Sequence, residues 1–198
     1  MISHIDENVG RLLDTLEETG QLENTIIVYT GDNGLAVGCH GLMGKQSLYD
    51  HSVHVPLILS GPGIRRGAVS DAYVYLMDIY PTLCDLCGVP LPPSVEGKSF
   101  AAAAAGHRGS SREVLYFAYT HLIRGVQDDR YKLIRYRLAP DQTQLFDLQS
   151  DPHETVNLYS LPEYAPVRAR MESLLLEQRD QYEDTPTPFT AAFWDPRQ

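Results

Sequence analysis

Asn24-Thr25-Ile26-Ile27-Val28-Tyr29-Thr30-Gly31-Asp32-Asn33-Gly34 opens the stretch whose reading decides the fold. The chain then crosses Gly38-Cys39-His40-Gly41 and Gly44-Lys45. It closes on a second apolar run, Val55-Pro56-Leu57-Ile58-Leu59-Ser60, and a Gly61-Pro62-Gly63 turn. Two apolar runs thus bracket a glycine-rich segment holding an acid, an amide, imidazoles and one lysine. Buried strands that feed a polar loop are how an α/β enzyme builds a site. The unbroken run Ile26 to Tyr29 predicts burial on both faces, as in a parallel sheet.

Upstream, Ile2, Ile5, Val9, Leu12, Leu13 and Leu16 recur at helical spacing with charged residues between them, and Gly20 is a plausible stop. Downstream, Val53 to Ser60 reads as the next strand and Ala72 to Tyr75 as a short extended segment. Asp78 is placed to cap a helix through Cys87 that Gly88 ends. Leu91 to Gly97 is a linker, and Ser99 to Ala105 a short helix ended by Gly106. From Glu113 the texture changes. Residues 114–119, 122–126, 131–136 and 144–148 read as four short strands of an antiparallel meander, with turns at Asp128-Asp129 and Ala139-Pro140-Asp141. Val167, Met171, Leu174, Leu175 and Leu176 mark a terminal helix. The tail Pro186 to Gln198 is expected to be extended, with Phe189, Phe193 and Trp194 docking it.

At 198 residues and 43% hydrophobic, the chain can bury a core. No apolar run approaches the length of a membrane helix, and the residues after Met1 do not read as a signal peptide, so the compartment is open. Net charge is −10, unevenly spread. Residues 141–198 carry 11 acids against 4 Arg, or −7, while residues 104–137 carry 7 Lys and Arg against 3 acids, or +4. An acidic chain of this kind is a poor nucleic-acid binder. The basic middle would suit an anionic ligand or, more simply, a solvated sheet face. Cys39, Cys84 and Cys87 do not make a disulfide framework, and the Cys84-x-x-Cys87 pair lies in an apolar helical pattern that predicts buried core cysteines.

Asp32 and Asn33, at the carboxyl end of a strand, offer hard oxygens suited to Ca2+ or Mg2+. The same tripeptide with Gly34 also makes ordinary turns. Lys45 is a compact cation for a sulfate or phosphate oxygen, although a lone lysine is normally solvated, and Gln46 after it rules out a phosphate loop. His40, His51 and His54 are possible acids, bases or ligands, although loop histidines usually have no such role.

Thr30 to Gly34, Gly38-Cys39-His40-Gly41-Leu42-Met43-Gly44-Lys45, Leu48-Tyr49-Asp50 and Val55 to Ile58 with Gly61-Pro62-Gly63 together resemble the sulfatase family. Asp78 to Leu83 with Gly88, Glu96-Gly97-Lys98-Ser99, Leu145 to Leu148, Asp151-Pro152-His153-Glu154 and Asn157-Leu158 continue the resemblance in the family's order. It implies an α/β fold: part of an alkaline-phosphatase-like sheet with helices over residues 1–106, then a small antiparallel β subdomain with a terminal helix and tail over residues 107–198. It also implies roles. Asp32 and Asn33 correspond to divalent-metal ligands, usually for calcium, as half of a site that should bind metal weakly. Lys45 corresponds to the lysine on the substrate sulfate, and His40 lies in the family's Gly-x-His-Gly segment as a catalytic candidate.

Two positions depart from the family pattern. His54 stands where arginine is common, and Asp50 where glutamate is common. The family's nucleophile, a formylglycine made from Cys or Ser in Cys/Ser-x-Pro/Ala-x-Arg, has no counterpart. Cys39, Cys84 and Cys87 lack the context, and Ser160-Leu161-Pro162-Glu163-Tyr164 lacks the arginine. The resemblance therefore implies the C-terminal part of a sulfatase acting on a sulfate ester, with a sulfated carbohydrate as the candidate substrate. Two alternatives stand beside it: a non-catalytic binder of sulfated glycans, and a phosphodiesterase or phosphonate hydrolase of the same superfamily. Unpaired sheet edge and exposed apolar surface are expected to cause self-association.

Overall fold

A computed structural model describes residues 1–109, 112–185 and 187–194. In chain order the helices and strands are α1 (Ile2–Glu18), β1 (Ile27–Thr30), β2 (Ala36–Val37), β3 (Met43–Gly44), α2 (Asp50–Val53), β4 (Leu57–Ser60), α3 (Ile79–Cys87), α4 (Ala101–Ala104), β5 (Leu115–Tyr119), β6 (Ile123–Gln127), β7 (Tyr131–Tyr136), β8 (Gln144–Asp147), α5 (Ala165–Gln181) and α6 (Pro188–Trp194). They fall into two compact units. The first holds residues 1–31 and 56–111, the second residues 32–55 and 112–198.

In the first unit, α1, α3 and α4 stop where the sequence places a glycine. After α1, Gly20 takes φ 68°, and Gln21 N–H donates to the Leu16 carbonyl. Gly88 and Gly106 do the same after α3 and α4, each followed by a bond five residues back. This left-handed stop satisfies carbonyls that the helix end would otherwise orphan. The Asp78 carboxylate precedes α3 but does not cap it. It is buried and accepts the backbone N–H groups of Tyr75 and Lys98 at 2.8 and 2.7 Å, tying the linker to the helix start.

β1 and β4 pair antiparallel, Ile27 opposite Ser60 and Thr30 opposite Leu57, which corrects the parallel expectation. An apolar run reports covered faces and carries no direction for its neighbour. The cover is also incomplete, since Tyr29 and Ile58 are exposed. β4 begins at Leu57 because Pro56 has no N–H for the ladder, and Val53, expected to open that strand, instead ends α2 (Asp50–Val53). Ala72 to Tyr75 joins no ladder. Cys84 is buried as expected, whereas Cys87 is exposed.

The second unit is built on the predicted meander, β5-β6-β7-β8, antiparallel throughout. Its register sorts the side chains into two faces. Val126, Leu133 and Leu145 lie on one face and pack with Met171 and Leu175 of α5. Ile123, Ile134 and Phe146 lie on the other and pack with Leu48 and Tyr49. Gly125 makes that second contact possible, because a Cβ there would come within 2.9 Å of Leu48. The tail is helical rather than extended. Thr187 Oγ1 accepts Thr190 N–H, and Pro188 follows in the first turn, a helix start by two independent rules. Phe193 of α6 is buried beneath Arg124, whereas Phe189 stays exposed. Residues 186 and 195–198 of the expected tail lie outside the described residues.

Candidate functional site

All the residues singled out for chemistry belong to the second unit, and the sheet face carrying Ile134 and Phe146 positions them. Leu48 and Tyr49 anchor the segment that leads into α2. That segment holds the Asp-Asn-Gly turn in place: Gly34 N–H donates to the Ser52 carbonyl at 2.9 Å. The crossing is so close that a Cβ on Gly34 would sit 2.0 Å from the His51 carbonyl oxygen, so only glycine fits.

From Gly34 the chain runs out as β2, turns, and returns as β3, with Ala36 opposite Gly44. This hairpin delivers Lys45 beside the turn it started from. Lys45 Nζ donates to Asn33 Oδ1 at 2.9 Å and lies 4.0 Å from Asp32 Oδ2. Half of the Lys45 side chain and 87% of that of Asp32 remain exposed, so this is an open group of two oxygen donors and one cation. The donor chemistry fits a hard divalent ion. Two donors are fewer than the six to eight oxygens calcium takes. Among the described residues no cluster of three or more His, Cys, Asp or Glu adds to them.

His40 occupies the hairpin turn in a left-handed conformation, φ 54°. Its ring stacks on Tyr49 with centroids 3.9 Å apart, and Nε2 lies 3.0 and 3.1 Å from the backbone carbonyls of His153 and Glu154. His51 is 5.3 Å away and contacts Ser47 Oγ at 3.3 Å. Burial pulls the His51 imidazole below its ordinary value, and His40 and Lys132 add to this against Glu154 and Asp50. His54 points to solvent, 3.5 Å from Asp50.

The sequence reading missed Lys132. It lies fully buried in β7, its ammonium 2.5 Å from Asp50 and 2.7 Å from Glu154, which is also buried. The signal was a lysine inside a strand whose neighbours are apolar on both sides. Nor do the cations of residues 104–137 form a solvated face. Arg112, Arg124 and Lys132 are buried, and Arg130 pairs with Asp147.

Comparison with known proteins identifies the family. The family described as N-sulphoglucosamine sulphohydrolase, C-terminal, matches residues 38–181. An N-acetylglucosamine-6-O-sulfatase of Bacteroides thetaiotaomicron is 34% identical over 192 residues, 91% of this chain and 34% of that protein. A solved structure in complex with its substrate D-glucosamine-2-N,6-O-disulfate superposes with a TM-score of 0.86 at 32% identity, over 96% of this chain and 40% of the other. A phosphonate monoester hydrolase from Silicibacter pomeroyi gives 0.79 at 29%, over 89% and 39%.

The fold and these likenesses thus define an alkaline-phosphatase-like α/β protein. Within that class the chain belongs to the sulfatase family and matches its C-terminal domain. It spans about a third of the length of the curated relatives it matches. Among the described residues no helix is long and apolar enough to cross a membrane.

Proposed function

We propose that this chain is the C-terminal share of a sulfuric ester hydrolase and carries part of its sulfate and metal site. Lys45 binds a sulfate oxygen, His40 is the imidazole beside it in sequence, and Asp32 and Asn33 hold a divalent cation, with Ca2+ preferred for its oxygen chemistry. A bound cation would supply charge neutralisation at the sulfate oxygens. Lys45 does the same as a point charge. The observation that carries this reading is the convergence of Lys45 on Asn33 and Asp32, three residues whose types and order also carry the sulfatase resemblance. The 198 residues contain no Cys/Ser-x-Pro/Ala-x-Arg sequence, so hydrolysis by this chain alone is not part of the proposal.

Calorimetry tests it. Ca2+ should give heat that Asp32→Ala abolishes. Glucosamine 6-sulfate should bind more tightly than glucosamine, and Lys45→Ala should weaken the sulfated sugar by roughly ten- to a hundredfold, the scale of a charged hydrogen bond. Equal, weak heats from both sugars would overturn the reading.

A second reading, a phosphonate or phosphate ester hydrolase, is favoured by the likeness to the Silicibacter pomeroyi hydrolase. Phosphonate and sulfate esters both present anionic oxygens to Lys45, and competition between the two ligands separates the readings. A non-catalytic glycan binder loses its support, because much of the basic middle segment is consumed in buried pairs. Self-association of the isolated chain is also part of the proposal. Apolar residues of α1 and of the β1–β4 sheet are exposed.

A further inference from the structure

Three constraints meet at one residue, Glu154. Its carboxylate is buried, with one oxygen 2.7 Å from Lys132 Nζ and the other accepting Asp50 N–H at 2.7 Å. Its backbone takes φ 55°, a left-handed conformation that costs a residue with a Cβ about 1–2 kcal/mol and persists only where the surroundings enforce it. Its carbonyl, with that of His153, faces His40 Nε2. A carbonyl only accepts, so Nε2 must carry a hydrogen. A neutral imidazole has one N–H, which leaves Nδ1 as the open lone pair. Tyr49, stacked beneath the ring at an interplanar angle of 10°, holds its plane.

We propose that Glu154, clamped by Lys132, is a positioning residue that fixes His40 as the Nε2–H tautomer and leaves Nδ1 as the ring nitrogen open to accept a proton. The tautomer and the clamp stand on geometry and do not depend on the sulfate-ester reading. Lys132 is the counter-ion that makes the clamp tolerable, since a buried carboxylate without a partner would not stay charged. Asp50 shares that ammonium and donates its backbone N–H to the Glu154 carboxylate, so the clamp also fixes the start of α2.

Nitrogen-15 NMR of the imidazoles in the full chain at neutral pH tests this, with the His40 signals assigned by their loss in His40→Asn. Asparagine tolerates the left-handed backbone there. Nε2 should resonate as a protonated pyrrole-type nitrogen and Nδ1 as a bare pyridine-type one. Combining Lys132→Met with Glu154→Gln removes both buried charges together. It should yield a mixture of tautomers and lower the exchange protection of the Asp50 amide by about tenfold. Should that variant not fold, Glu154→Gly keeps the left-handed backbone, removes only the carboxylate, and should give the same mixture. Leu133→Ala, on the opposite sheet face, should lower stability and leave the tautomer intact. A bare Nε2 in the wild-type chain, or a tautomer unmoved by loss of the Glu154 carboxylate, overturns the proposal. A chain with the expected tautomer but no sulfate-dependent heat keeps the clamp and loses only the sulfate reading.

Discussion

The two units make opposite use of the same residue types. In the second, Val126, Leu133, Leu145, Met171 and Leu175 leave almost no surface to solvent, and the opposite sheet face is filled as well. In the first, α1 has an equally regular apolar stripe but no buried residue: Ile2 is 85% and Leu12 67% exposed. Periodicity states which side of a helix would be buried, not whether a partner is present to bury it. The second unit meets its own demand for burial within residues 32–55 and 112–194. The first does not meet its demand within the described residues.

The hardest way to break the second unit is through its charges. Arg124 and Asp184, 1% and 10% exposed, form a bidentate pair. Asp184 also accepts the Tyr116 hydroxyl at 2.6 Å and Trp194 Nε1–H, which ties α6 to the meander. Asp184→Ala strands the guanidinium, so the unit should lose about 3–5 kcal/mol in urea unfolding, and the Trp194 fluorescence should shift toward that of solvated indole. A loss below about 1 kcal/mol would mean the pair is not buried as described.

A matched pair of truncations sharpens the contrast between the units. Met171→Ala empties a site with no exposure and should cost about 2–5 kcal/mol. Leu12→Ala removes a side chain already in water and should change stability by no more than about 0.5 kcal/mol. Should Leu12→Ala match Met171→Ala, the apolar stripe of α1 is buried in solution and the distinction between the units fails.

The same contrast explains what could be read in advance. The meander was legible because its strands are short, close together and separated by turn residues, so local rules suffice. Gly20, Gly88 and Gly106 marked helix ends by the same local logic. The antiparallel pairing of β1 with β4 was not legible, because 26 residues separate Thr30 from Leu57 and neither apolar run encodes direction. Thr187-Pro188 did signal a helix start, and weighing the aromatic residues alone hid it. Asp32, Asn33 and Lys45 are legible as a family pattern, whereas the hairpin that joins Lys45 to Asn33 belongs to the folded chain, because its two-residue strands carry no periodicity of their own. Lys132 was missed because lysine is almost never fully buried unless paired, and its partners Asp50 and Glu154 lie 82 and 22 residues away.

Exposure in the first unit predicts a subtler effect. If α1 and the β1–β4 sheet offer apolar surface, sedimentation velocity should show mass rising with concentration, and Ile5→Lys together with Leu12→Lys should suppress it. A monomer at every concentration would show that these residues find cover within the chain.

The smallest effect concerns protons, and its sign can be worked out. The His51 imidazole is held below its ordinary value of 6.5, first by burial and then by His40 and Lys132. On acidification the unfolded chain takes up its proton first, so stability is full above pH 6.5, declines below it, and levels off once the folded state also binds the proton. Asp184 behaves differently in origin and acts lower on the scale. Burial pushes its carboxyl up, but hydrogen bonds from Arg124 and Tyr116, the charge of Arg124 and the bond from Trp194 outweigh that and hold it below 3.8. Its contribution is present above pH 3.8 and is lost as pH falls through the lower folded value. Urea midpoints followed from pH 8 downward should therefore fall in two steps. His51→Gln should erase the shallow upper step and leave the steep lower one. Because His51 is only partly buried, the upper step should be the smaller of the two. An upper step that survives His51→Gln would assign it to another group and remove His51 from the account of this face.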